Sequence, residues 1–329
     1  MLKDHGKRTA GIRRRGLAMA VMAFIVPVIA LASASPAMAE PKGIFKIFKY
    51  CPLEYIPAGL ELCSYNKTTS GEFAIGSTKV PISPQTIIQQ GGEIPTGNPL
   101  NPAEYFAVPA KAPGESLSKT ELEVPGGLTD IINCKEITGE FPFEKALRAW
   151  CKSFFEGKTL GVTATAELVA NEKNPVLVNE FAIAREEGTG ITLPLRVHLK
   201  NPLLGNSCYI GSEAHPIELH LTTGATHLEK APKGWKSIHG AFGETSTPEE
   251  KGHALLRVTG NSLVDNTYSA PAPEGCGEFE FLGLKFTGTL DFLVEAKLKI
   301  PNNPGENSAV LNGELNTTGP AEVIASESF

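Results

Sequence analysis

Four residue patterns in this chain have the chemistry to act on a substrate or hold a metal: a serine in a glycine-led turn, a set of histidines, two carboxylate pairs and six cysteines. The serine is Ser207, in Gly205-Asn206-Ser207-Cys208-Tyr209. A nucleophile elbow needs a small residue two positions after its serine, because the tight strand-to-helix turn leaves no room for a larger one. Tyr209 stands there instead. Catalytic triads are defined by geometry rather than spacing, so a secreted hydrolase stays open as a minor reading.

His198, His215, His220 and His227 could gather near one surface. Zinc requires converging ligands, and a pair such as that in H-E-x-x-H places two on one helix face. No such pair occurs, so these histidines are expected to be exposed without a ligand role. Asp291 and Glu295 read as one face of a strand, about 13–14 Å apart at the rise of an extended chain. That is too far for either glycosidase arrangement. Glu278 and Glu280, about 7 Å apart, have the inverting separation, but they flank Phe279 in an ordinary alternating strand and are expected to be solvated. Gly126-Gly127 and Gly188-Thr189-Gly190 read as turns, not phosphate loops. Asn302, Asn303 and Asn307 lack calcium-loop spacing. No catalytic, cofactor-binding or metal-ligating residue is assigned, no cofactor is implied, and the protein is expected not to be an enzyme.

Cys51, Cys63, Cys134, Cys151, Cys208 and Cys276 are never closer than 12 positions, which argues against a zinc knuckle or a C-x-x-C redox centre. An even count in an exported chain implies disulfides. Six cysteines permit 15 pairings. The simplest is between neighbours: Cys51–Cys63, Cys134–Cys151 and Cys208–Cys276.

Export is read from residues 1–39. Lys3, Lys7, Arg8, Arg13, Arg14 and Arg15 precede an apolar run from Leu17 to Ala32, and Ser33-Ala34-Ser35-Pro36-Ala37-Met38-Ala39 supplies an A-x-A cleavage site. The run is about 16 residues and contains Pro27, short of the ~20 that a membrane anchor needs. Arg14-Arg15 lacks the usual twin-arginine surroundings, so the general secretory route is expected. No cysteine ends the apolar run and Ala321–Phe329 carries neither a hydrophobic tail nor a basic stop, so neither a lipoprotein anchor nor covalent wall attachment is expected. Cleavage after Ala39 would leave 290 residues with a net charge of about −11 and only four arginines, Arg148, Arg185, Arg196 and Arg257. That balance excludes a nucleic-acid footprint.

The elements that would position these residues are mostly strands. The chain carries 33 glycines and 25 prolines, which punctuate it at the short intervals of strand and turn. Pro41–Tyr50 is expected to pack on the core, Cys51–Cys63 to form a stapled loop or hairpin, and Gly71–Ile82 to give one or two strands. Gly91–Pro125, rich in Pro, Gly and Ser, reads as a long loop or an inter-lobe link. Pro142–Gly157 predicts a helix, with Phe143, Leu147, Trp150, Cys151 and Phe154 on one stripe. From residue 160 the apolar period becomes two: Val162–Ala170, Ile191–Leu199, Ile217–Leu221 and Phe292–Ile300 alternate as half-covered strands. Pro194 cannot donate to a ladder, which predicts an edge or a bulge there. The expected fold is mainly β, an antiparallel β-sandwich or distorted barrel with one short helix, stabilised by disulfides. Its expected divisions are a signal peptide over 1–39, a stapled N-terminal segment or lobe over 40–159, and an antiparallel β domain over 160–329.

Thr68-Thr69-Ser70-Gly71-Glu72-Phe73, Val124-Pro125-Gly126-Gly127-Leu128 and the stretch from Asn201 to Ser212 together resemble a group of uncharacterised exported actinobacterial proteins. The resemblance covers most of the chain after residue 39. It implies export from a Gram-positive source and assigns no activity and no site. The leading expectation is a non-catalytic secreted or cell-envelope protein, structural or adhesive, with a cell-wall polymer or an envelope protein as candidate partner. The alternatives are a binding module for a small apolar ligand or glycan, and a secreted hydrolase.

Overall fold

The computed structural model describes residues 40–112, 114–157 and 160–329. Residues 1–39, read from the sequence as a signal peptide, lie outside them.

The chain begins with two 3₁₀ turns, Gly43–Phe48 and Leu53–Ala58. Strands β1 (Leu62–Ile75), β2 (Thr78–Pro81), β3 (Ile87–Pro95), β4 (Glu104–Pro109) and the two-residue β5 (Leu122–Glu123) follow. Next come helices α1 (Leu128–Ile131) and α2 (Pro142–Glu156). β6 (Thr163–Leu168), β7 (Leu177–Asn179), α3 (Glu180–Arg185), β8 (Ile191–Lys200), β9 (Tyr209–Ile210) and β10 (Ile217–Leu221) make the middle. β11 (Glu244–Ser246), β12 (Glu249–Glu250), β13 (His253–Ala254), β14 (Leu256–Asp265), β15 (Pro273–Glu274), β16 (Phe279–Phe281) and β17 (Leu284–Phe286) lead to α4 (Asp291–Leu298), β18 (Ser308–Thr318) and α5 (Pro320–Ser326).

The protein is mainly β, sandwich-like and antiparallel. One large sheet runs β11-β14-β18-β1-β3-β4-β7-β8-β6-β5, with β9 and β10 also on β8, β2 on β1 and β15 on β9. Its ends do not meet, so it is not a closed barrel. Bulges between Thr68 and Ser70 in β1, and between Thr259 and Asn261 in β14, face the same stretch of β18. An extra residue in each neighbour bends and twists the sheet there, which helps fold one sheet into two facing halves. Alternation turns one side of the central strand β8 inward: Ile191, Leu193, Leu195, Val197 and Leu199 all belong to the main core.

A smaller core lies outside the first half of the sheet. Phe45, Phe48, Leu53 and Leu60 from the first turns pack with Cys63, Val108, Leu255 and Val323. Phe45 is fully buried and meets Phe329 edge-to-face at 6.0 Å. The first 3₁₀ turn and the last residue of the described chain are thereby joined, and β1 is bonded to β18 along most of its length. Residues on both sides of position 160 form one compact unit, and no boundary falls there.

The cysteines pair as neighbours: Cys51–Cys63, Cys134–Cys151 and Cys208–Cys276. The second ties α2 to the turn at Cys134–Glu136. α2 starts with Pro142 at its first turn, where a missing N–H costs nothing. It buries Leu147 and Cys151 and presents Phe143 and Trp150 to the β16–β17 hairpin. Phe143 contacts the rings of Phe279, Phe281 and Phe286 at 5.3–5.8 Å.

Three expectations change. Phe292–Ile300 is not a strand; most of it belongs to α4. Leu290, Leu293, Val294 and Leu298 are the buried set, with helical spacing, while Phe292 and Ala296 face outward. The alternation was a coincidence of overlapping apolar positions. Gly91–Pro125 is not one loop, because it contains the end of β3, all of β4 and β5. Pro194 is not at an edge: β8 has partners on both sides. The Pro194 carbonyl accepts from Val169 N at 3.1 Å. In an extended residue the nitrogen points the same way, here into the gap where β6 ends opposite Leu195 and β7 takes over opposite Thr192. The missing donor therefore breaks no ladder bond.

Candidate functional site

The residues singled out for chemistry do not assemble into a catalytic centre. Ser207 Oγ donates to the Gly275 carbonyl at 3.2 Å. His198 is the histidine nearest in chain to a triad arrangement. Its Nδ1 lies 3.5 Å from Glu167, while its Nε2 meets the Asn206 carbonyl at 3.1 Å. The place a nucleophile would take is thus held by a backbone acceptor. Glu167 is gripped by Arg196 at 2.8 Å, and both Arg196 and His198 lie 4.4 Å from the Tyr209 ring. This stack braces a strand face.

His215 and His227 are exposed, and His220 lies 3.5 Å from Glu218 on its own strand. Among the described residues, no three His, Cys, Asp or Glu side chains converge as metal ligands. Glu278 is bound to Lys285 at 2.5 Å, which holds its carboxyl below the usual range. Glu280 pairs in register with the same lysine. Because Asp291 and Glu295 lie one turn apart on a helix, they are much closer than a strand would place them. Asp291 accepts from Cys276 N at 2.6 Å and Gly275 N at 3.3 Å, bracing the turn beside the Cys208–Cys276 bridge. Burial nevertheless raises its carboxyl, opposed by those two N–H groups. Asn302 and Asn307 bind each other through both side-chain amides and also hold Ala270 N, Gly76 N and the Tyr268 carbonyl.

Among the described residues, an apolar cavity of about 100 Å³ between the two halves of the sheet can hold an apolar ligand. One wall comes from β1–β3, with Phe73, Ile75, Val80 and Ile88. The other comes from β6, β8 and β10, with Ala164, Ala166, Leu193, Leu195 and Leu219. Leu195, Ile210 and Leu219 are almost completely buried and make the deep end. The four polar lining residues, Thr78, Thr86, Ser118 and Thr120, are all half-buried and mark the solvent side. Ser118 and Thr120 share a hydrogen bond at 2.6 Å. No charged residue lines the space.

The cavity has a local cause. Ala164 and Ala166 stand opposite Leu199 and Val197 on β8, where larger strand residues would fill the gap. On the other wall, Phe73 is held by stacking on Tyr268 at 5.6 Å, and the Tyr268 hydroxyl donates to the Ala74 carbonyl at 2.7 Å. Burial raises the Tyr268 phenol well above its ordinary value, with Asp265 adding to the effect, so it stays a neutral donor.

Sequence reasoning missed this site, since it depends on which alternating faces meet. The signal available was Val162-x-Ala164-x-Ala166, small residues on the inner side of a strand. No known protein family, curated protein or solved structure matches the chain.

Proposed function

We propose that this is an exported, non-catalytic binding protein that takes a small apolar molecule, or the apolar end of an amphiphile, between the halves of its sheet. The cavity carries this reading. A wall of aliphatic side chains with a hydroxyl-bearing rim favours an uncharged body and tolerates one hydrogen-bonding group at the entrance. An engineered cavity of roughly 150 Å³ takes benzene, so this smaller one, of about 100 Å³, suits a short alkyl group. Three disulfides and a signal-like N-terminus support work in an oxidising space outside the cytoplasm. The resemblance to exported actinobacterial proteins supports the same location.

The test is calorimetric titration of residues 40–329, folded with disulfides intact, against n-alkanols of increasing length. Saturable binding with a negative heat-capacity change, and an optimum at short chain lengths, is expected. Heat no greater than that of dilution across the series would refute the proposal.

One observation favours a structural or adhesive envelope role as a second reading. The β16–β17 hairpin ends in Leu282 and Leu284, which are 86% and 64% exposed. Leu282→Ser with Leu284→Ser should then release the protein from the envelope fraction into the medium. Unchanged partitioning would remove this reading.

A further inference from the structure

Away from the cavity, beside a short strand of the large sheet, lies a pair of acidic side chains with no counter-ion. β7 is three residues long. It is the strand that links the β14-β18-β1-β3-β4 half of the sheet to the β8-β6-β5 half, through three register pairs to β4 and two to β8. Glu93, in β3, stands between Leu62 of β1 and Ala107 of β4 and is completely buried. Neither oxygen of its carboxyl has a hydrogen-bond partner. Facing it is Glu180, the first residue of α3, which directly follows β7. The Glu180 backbone N–H is tied to the Ala103 carbonyl at 3.0 Å.

The other polar groups around the pair are few. The Ser64 hydroxyl of β1 faces Glu93. Tyr105 of β4 is near both carboxyls and also near Glu61, which precedes β1. No cationic side chain acts on either carboxyl. Glu93 is completely buried and Glu180 half-buried, so two ionised carboxylates facing each other here, with no cation and little beyond the Ser64 hydroxyl to solvate them, would repel. A carboxylic acid beside a carboxylate removes both problems, because the acid donates its O–H to the other group.

We propose that Glu93 and Glu180 form a proton-binding site, sharing one proton across the β3–α3 contact, and that loss of this proton loosens the β4–β7 seam. Protonation creates the O–H···O bond that joins β3 to the start of α3. Deprotonation leaves two facing anions beside a seam held by only three register pairs.

The electrostatics agree. Burial raises the Glu93 carboxyl from 4.5 to about 8, with Glu180 adding to the rise and Ser64 opposing it. Burial likewise raises Glu180, to about 7. Tyr105 is raised by its own burial first and then by Glu61, Glu180 and Glu93. A carboxyl raised in the folded state binds its proton more tightly there than when opened to water. The stability it contributes is complete below 4.5 and is lost as pH rises through about 7 to 8. Between about 7 and 8, where the pair holds one proton, opening releases that proton, so the opening constant should grow about tenfold per pH unit there.

Two measurements on the folded protein decide the matter. Carboxyl ¹³C resonances of glutamate-labelled protein should show Glu93 or Glu180 titrating near neutral pH. Hydrogen exchange of the β4 and β7 amides, corrected for the intrinsic pH dependence, should accelerate about tenfold per pH unit between about 7 and 8 and then level off. Glu93→Gln and Glu180→Gln should each flatten that dependence. Ordinary titration of both glutamates would overturn the proposal, even if neither variant folds. So would a wild-type exchange slope retained in either variant.

Discussion

If the cavity is a binding site maintained against packing, filling it should stabilise the protein and remove its function together. Ala164 is the position to change: it is buried, lines the space, and sits between Leu122 of β5 and Leu199 of β8. An unfilled volume of about 100 Å³ costs on the order of 2.4 kcal/mol at about 24 cal/mol per Å³. Ala164→Leu adds three carbons, worth about 2.4 kcal/mol of burial at about 0.8 kcal/mol each. Fixing the new side chain takes back about 0.5–1 kcal/mol. The net expectation is a gain of about 1.5 kcal/mol, or roughly 3 °C in Tm for a chain of this size. Urea denaturation with disulfides intact measures the gain, and alkanol calorimetry measures the loss of binding. The wild type should be further stabilised by saturating alkanol, and the variant should not. Destabilisation by more than about 1 kcal/mol would show an already filled site suffering overpacking, and the reasoning would fall. Undiminished alkanol affinity would refute it from the other side.

The disulfides should differ in weight according to the loops they close. Replacing Cys208 and Cys276 by alanine opens a 68-residue separation and should lower stability by about 4 kcal/mol on the chain-entropy account, against about 3 kcal/mol for Cys51 and Cys63; denaturant midpoints give the order, and a reversal would contradict it. Asn307→Ala removes an acceptor from Gly76 N and from Asn302, and a donor from the Tyr268 carbonyl, so a loss of about 2–4 kcal/mol is expected from buried groups left unpaired, read by thermal unfolding. Leu282 has a φ of 51° at the tip of the β16–β17 hairpin, a conformation that costs most side chains about 1–2 kcal/mol; Leu282→Asn should recover about 1 kcal/mol, and a lower Tm would argue that the exposed leucine is held by a contact.

Local pattern carried much of the fold. The alternation of Ile191–Leu199 and Ile217–Leu221 gave two of the central strands, and the stripe Phe143–Leu147–Trp150–Cys151–Phe154 gave α2. Both patterns are periodic because one side of each element faces the core. Pattern failed where two periods overlap, as at α4, and where pairing is non-local. Nothing in Leu62–Ile75 signals that its neighbour is Ser308–Thr318. Glu93 was invisible for a related reason. It follows Gly91-Gly92 in a Pro- and Gly-rich stretch, where a glutamate reads as solvated, and only the approach of β4 and α3 encloses it. The alanines of β6 were visible as residues but not as a void, since a void is a property of two surfaces together.

The three disulfides close loops that follow one another along the chain and never interlock. If the chain is exported from its N-terminus, as proposed, each cysteine would find its partner as the next one to appear, and sequential oxidation would yield this set without reshuffling. The large sheet has the opposite dependence on order. Its β1 edge waits for β18, more than two hundred residues later, and β14 joins that half through the same late strand. On that route the covalent cross-links would come from the front of the chain and the architecture from the back. A chain halted before Ser308 would be fully oxidised yet lack the strand that joins β1 to β14.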